Sequence, residues 1–139
     1  MVAFADVQVG DRLDEQRRET GIVQQFLYNA ALWNAHRIHY EARWAKEVEG
    51  YPDLVVAGPL MGDWLTQCVL LWLGPSGRLV SIEYSNRQAA YVGETLTVGG
   101  EVTEVDAPSR RVTLQMAVRN ANGEVVTPGT AVVEFGGAS

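Results

Sequence analysis

Both histidines of the chain fall in one seven-residue run, Asn34-Ala35-His36-Arg37-Ile38-His39-Tyr40. Imidazole ionises near pH 6.5, so it is the side chain best suited to take up and return protons at neutral pH. Acid/base chemistry, if the chain performs any, points to this run. A single histidine is more often a hydrogen-bonded structural residue, so the two must be told apart by what surrounds them. Asn34 adds a carboxamide, which orients a water or a substrate but cannot take its proton. Trp33, next to it, offers an aromatic wall.

The elements that must position this run can be read from periodicity. Gln24 to Leu32 is rich in helix formers, and Phe26, Leu27, Ala30 and Ala31 recur at the spacing of one buried helical face. The histidines then follow a short helix. Before it, the polar lead-in to Glu19 has room for a short strand, and Thr20 to Val23 is read as the start of the sheet. Glu41 to Glu49 reads as helix again and ends at Gly50-Tyr51-Pro52. After the short apolar run Leu54-Val55-Val56, Ala57-Gly58-Pro59 opens a helix that lasts to about Leu73, with proline in its first turn and Gly74 just past its end. That helix is apolar nearly all round, so it requires cover on most sides.

Beyond Gly74-Pro75-Ser76-Gly77 the pattern becomes extended. Arg78 to Asn86 and Glu94 to Val105 read as strands, and the double glycine Gly99-Gly100 as a bulge or bend. Arg111 to Arg119 alternates Val112, Leu114, Met116 and Val118 with polar residues, as a half-buried strand does. Asn122-Gly123 marks a hairpin into Glu124 to Phe135. Helices and strands segregate along the chain, which predicts an α+β fold: an antiparallel sheet wrapped around a long central helix.

Composition narrows the function. The chain of 139 residues suits one domain, residues 1–139. Its formal charge of −6 and lack of a basic stripe argue against nucleic-acid binding. The most apolar stretch, Leu60 to Leu73, carries Asp63 and Gln67 and is shorter than a bilayer span. No membrane partner is therefore expected. Cys68 is the single cysteine, set in apolar sequence, and reads as a buried thiol of a reducing compartment. With no signal-peptide pattern at the amino terminus, a cytoplasmic location is expected.

Three pieces taken together resemble a known family: Asn34-Ala35-His36-Arg37-Ile38-His39-Tyr40, Tyr51-Pro52-Asp53-Leu54-Val55-Val56-Ala57-Gly58-Pro59-Leu60, and Tyr91-Val92-Gly93-Glu94-Thr95-Leu96. In order and spacing they look like the MaoC-like hydratases and dehydratases of the hot-dog fold. They are most similar to the subgroup of mesaconyl-type hydratases and type 2 hydroxyacyl-thioester dehydratases. The resemblance runs from about Val9 to Phe135.

That resemblance implies a single hot-dog domain and reversible hydration of a 2-enoyl thioester of coenzyme A or acyl carrier protein. The carrier is part of the substrate, and neither a separate cofactor nor a metal is implied. In this family an aspartate and a histidine stand with four residues between them, and a glycine sits at the mouth of the central helix. Asn34, His39 and Gly58 occupy those places. By the same likeness His39 is the acid/base group, Asn34 holds the water or substrate, and the Gly58 amide donates to the thioester oxygen.

Two departures stand out. Asn34 replaces the aspartate, leaving His39 to carry the proton transfers alone, and Ala57 stands where relatives often have histidine or serine. His36 reads as support for His39. Trp33, Ala57 and Leu60 are expected to line the acyl pocket. Arg87, with Arg37 and Arg43 as weaker candidates, is expected to reach a pyrophosphate. Hot-dog domains pair through their sheets, so a homodimer or higher homo-oligomer is expected, or a heteromer with a related MaoC-like chain. Two other readings stay open: a hot-dog thioesterase using Asp63, and a non-catalytic thioester-binding partner of an active subunit.

Overall fold

A computed structural model describes residues 2–137. After a single 3₁₀ turn, the chain forms β1 (Gln16–Glu19), α1 (Ile22–Ala31), α2 (Ala42–Glu47), α3 (Gly58–Leu73), β2 (Gly77–Tyr84), β3 (Thr95–Asp106), β4 (Arg111–Arg119) and β5 (Val125–Phe135). The five strands make one antiparallel sheet in the order β1-β3-β4-β5-β2. The expected wrapping of a sheet around the long helix is what forms.

The physical reason is a match of two periodicities. Along β4, Val112, Leu114, Met116 and Val118 are fully buried while Arg111, Gln115 and Arg119 face out. That period of two gives the sheet one apolar face. Across from it α3 buries Leu60, Met61, Trp64, Leu65, Cys68, Val69 and Leu73, a stripe at helical spacing. Truncating a residue such as Leu65 to alanine would cost about 2–5 kcal/mol, because the packed sheet cannot close the hole. The cover on α3 is incomplete: Leu70 and Leu71 are 46% and 71% exposed. Gly74, at φ 54°, terminates the helix by donating its N–H to Leu70.

Three expectations need correction. First, α1 does not bury the face carrying Phe26, Leu27, Ala30 and Ala31. Phe26 and Leu27 are 56% and 60% exposed, while Gln25 and Asn29 are buried. Gln25 is turned inward because both ends of its amide have hydrogen-bond partners there, whereas Asn29 bonds only the Gln25 carbonyl of its own helix. Second, Ile22 and Val23 belong to α1, and the sheet begins earlier, at β1. Third, Gly99 and Gly100 pair regularly with Ala117 and Met116, and the irregularity in β3 lies between Val102 and Glu104. Gly100 is needed instead for close approach, since a Cβ there would meet the Met116 side chain.

Candidate active site

The run Asn34–Tyr40 is held by the way α1 ends. Trp33 adopts φ 55°, and its N–H reaches the Ala30 carbonyl at 3.2 Å while the Asn34 N–H reaches Asn29 at 2.9 Å. This is a Schellman motif with tryptophan at the left-handed position that glycine usually takes. The chain then reverses. Asn34 Oδ1 accepts the His36 N–H at 3.2 Å, and Arg37–His39 forms a 3₁₀ turn.

That turn docks on the strand-like segment before α3, and Val55 is the point where the pieces meet. Its N–H donates to the Ile38 carbonyl at 3.0 Å, and its carbonyl accepts from His39 Nδ1 at 2.8 Å. On the other side Val55 bridges to Tyr91, with Val56 N–H to Ala90 at 2.8 Å and Val92 N–H to Leu54 at 3.0 Å. Ile38, Ala45 and Val55 form a small apolar cluster beneath, joined by Trp44, Tyr51 and Tyr91. The three motif segments thus converge in space although they are separated in sequence.

His39 is 8% exposed. Its Nδ1 faces a carbonyl, which only accepts, so the neutral ring carries its proton on Nδ1 and keeps the Nε2 lone pair available. Burial holds its pKa below the ordinary 6.5, with the charge of His36 acting in the same direction and the Val55 carbonyl opposing both. A histidine so placed is neutral at pH 7 and fit to act first as a base. His36 differs. It is exposed, lies edge-on to His39 with ring centroids 5.6 Å apart, and sets Nε2 3.5 Å from Glu49.

At the mouth of α3, Ala57 is the N-cap and offers no side-chain cap, while Pro59 has no N–H. The Gly58 N–H is therefore the first free donor at the positive end of a sixteen-residue helix. A Cβ on Gly58 would strike the Asn86 side chain, whose Oδ1 accepts from Thr127 Oγ1 at 2.9 Å. Ala57 and Leu60, expected to line a pocket, are buried in the main core at 0% and 5% exposure.

The outlying candidates fall elsewhere. Trp33 is 93% exposed and borders a cavity of about 300 Å³ together with Phe26, Asn29, Asn34 and Tyr40. Neither His39 nor Gly58 lines that cavity. Arg37 pairs with Glu41 at 2.7 Å and lies 3.8 Å over the Trp44 ring, and Arg43 pairs with Glu47 at 2.9 Å. Arg87 is exposed, its Nε 3.3 Å from Ser85 Oγ. Asp63 accepts the Tyr28 hydroxyl at 2.6 Å. Burial, and then this bond, push the Tyr28 pKa well above its usual value.

Sequence reasoning missed Gln25. Its amide is fully buried, donates to the Val55 carbonyl at 2.5 Å and accepts the Ala57 N–H at 3.3 Å. The available signal was that Gln25 and Asn29, four residues apart, also share one side of the helix.

Residues 11–92 match the family described as hydroxyacyl-thioester dehydratase type 2. A mesaconyl-C(4)-CoA hydratase from Chloroflexus aurantiacus is 56% identical over 42 residues, 30% of this chain and 15% of that relative. The chain thus matches only a small part of that longer protein. Among solved structures, an (R)-hydratase from A. caviae involved in PHA biosynthesis superposes with a TM-score of 0.86 at 19% identity, covering 94% of this chain and 98% of the other. A chain of the ChsH1-ChsH2 complex from Mycobacterium tuberculosis gives 0.82 at 22% identity, covering 93% and 98%. These likenesses identify the fold as the hot-dog fold.

Proposed function

The chain belongs to the type 2 hydroxyacyl-thioester dehydratase family, in the MaoC-like hot-dog group, and from that premise we propose that it catalyses reversible hydration of a 2-enoyl thioester to a 3-hydroxyacyl thioester. The observation that carries this reading is the 2.8 Å contact of His39 Nδ1 with the Val55 carbonyl, from which the tautomer of the ring follows. With Nδ1 bound to Val55, Nε2 is free to take a proton from water as the oxygen bonds to C3. The same nitrogen then returns a proton to C2. Negative charge builds meanwhile on the thioester oxygen, and the Gly58 N–H at the positive end of α3 stabilises it. In the reverse direction the hydroxyl leaves as water along the same path.

Asn34 orients the water or the substrate through its NH₂, its Oδ1 being taken by His36. Trp33, at the border of the cavity it shares with Asn34, forms a wall for the acyl chain. Arg87, exposed beyond β2, takes a phosphate of the carrier in this reading, the carrier being either coenzyme A or acyl carrier protein. Tyr28 occupies Asp63, which weighs against Asp63 as the nucleophile or base of a thioesterase.

The proposed assembly is a homodimer or a heteromer with a related chain. It is supported by the open outer edge of β2 and by the heteromeric ChsH1-ChsH2 neighbour. Among the described residues no helix is long and apolar enough to cross a membrane. A cytoplasmic setting, in keeping with the free Cys68, completes the proposal.

The test is a panel of 2-enoyl and 3-hydroxyacyl coenzyme A esters, following enoyl absorbance and thiol release together. Enoyl absorbance changes without thiol release are expected, and His39→Ala lowers the rate about 10²- to 10⁴-fold. An unchanged rate in His39→Ala defeats this mechanism.

A further inference from the structure

α1 turns two amides, Gln25 and Asn29, inward and four large apolar residues outward, the reverse of what burial energy favours. Gln25 and Asn29 are 0% and 2% exposed, whereas Ile22, Val23, Phe26 and Leu27 are all at least 56% exposed. A helix serving only to cover a core gains more by burying leucine than by burying an amide. The inward amide is therefore explained by what it holds.

Gln25 holds two backbone groups. Nε2 donates to the Val55 carbonyl at 2.5 Å and Oε1 accepts the Ala57 N–H at 3.3 Å. The orientation of the amide is fixed at both ends, because a carbonyl only accepts and an N–H only donates. Val55 also accepts from His39 Nδ1, so its carbonyl serves Gln25 with one lone pair and His39 with the other. Ala57, at the far end of the Gln25 bridge, immediately precedes Gly58 and caps α3. One side chain thus spans the Val55–Val56 peptide, whose carbonyl orients the imidazole, and the Val56–Ala57 peptide, which immediately precedes the one that presents the oxyanion donor.

We propose that Gln25 is a positioning residue for the hydration reaction, holding His39 and the Gly58 N–H in a fixed mutual register through Val55 and Ala57. The inference rests on the hydratase reading given above. Without Gln25 the Ala57 N–H loses its partner and the Val55 carbonyl is free to tilt. Either movement shifts Nε2 relative to the helix mouth, and misplacement by about 1 Å costs on the order of a hundredfold in rate.

Two variants separate positioning from packing. Gln25→Met keeps the volume and removes both bonds. Gln25→Glu restores them: at a position 0% exposed its carboxyl stays the neutral acid, whose hydroxyl donates to Val55 and whose carbonyl accepts from Ala57. Each variant is assayed with crotonyl coenzyme A for kcat, KM and pH profile, and the His39 ring is followed by nitrogen NMR.

In Gln25→Met the expected result is kcat lower by roughly 10- to 100-fold with KM within about threefold, and a His39 signal that changes from a single Nδ1-protonated form to a mixture. Gln25→Glu keeps both readouts close to the parent's. A folded Gln25→Met protein with unchanged kcat or an unaltered His39 tautomer overturns the proposal, as does a Gln25→Glu protein impaired as much as Gln25→Met. If Gln25→Met fails to fold, Gln25→Leu decides by the same criteria. Absence of hydration in the parent protein is a failure of the hydratase reading, and the NMR signal then still decides whether Gln25 positions His39.

Discussion

Replacing Trp33 by glycine should make the protein more stable and less effective at once. Trp33 sits at φ 55°, a conformation costing a residue with a Cβ about 1–2 kcal/mol, and its side chain is 93% exposed. Glycine relieves the strain but adds roughly 0.5–1 kcal/mol of chain entropy to the unfolded state. Little buried area is lost, so the net gain is about 0.5–1 kcal/mol, a rise in Tm of roughly 2–4 °C for a chain of this size. Trp33→Ala supplies the control, because it removes the ring and keeps the strain. If the ring walls the acyl pocket, both variants lose about 1 kcal/mol of aromatic contact, a roughly fivefold rise in KM. Thermal unfolding and steady-state hydration on the same preparations read the two effects. A Trp33→Gly protein no more stable than Trp33→Ala refutes the strain argument, and an unchanged KM in both removes Trp33 from the pocket.

Three further outcomes are expected. The folded-state pKa of His39 lies below 6.5, so the unfolded chain binds more protons and stability rises with pH. Its contribution is complete above pH 6.5 and is lost as the pH falls below that value, with a slope of at most about 1.4 kcal/mol per pH unit, and His39→Gln should flatten that window in urea titrations. Gly58→Ala forces Asn86 from its place and breaks its bond to Thr127, destabilising the protein by about 1–3 kcal/mol in the same titrations. Tyr28→Phe frees Asp63 and loosens α1 from α3 at a cost of about 1 kcal/mol after allowance for solvent. It should leave thiol release undetectable, and release appearing in Tyr28→Phe would revive the thioesterase reading.

Much of this protein follows from its sequence. The alternation in β4 and the apolar stripe of α3 each specify a local structure and the face it buries, so the sheet around a helix was legible from periodicity. The order of the three motif segments likewise pointed to His39 and Gly58. What sequence does not contain is how segments meet. Phe26 and Leu27 read as a buried face, yet α1 is oriented by the partners available to Gln25, which belong to residues about thirty positions away. The tautomer of His39, the engagement of Asp63 by Tyr28 and the meeting of three segments at Val55 also depend on long-range hydrogen bonds. Such bonds are directional and join groups distant in sequence, whereas hydrophobic periodicity is local. For that reason the chain declares its elements and its chemistry-bearing residues, and only the tertiary structure decides which of their atoms face one another.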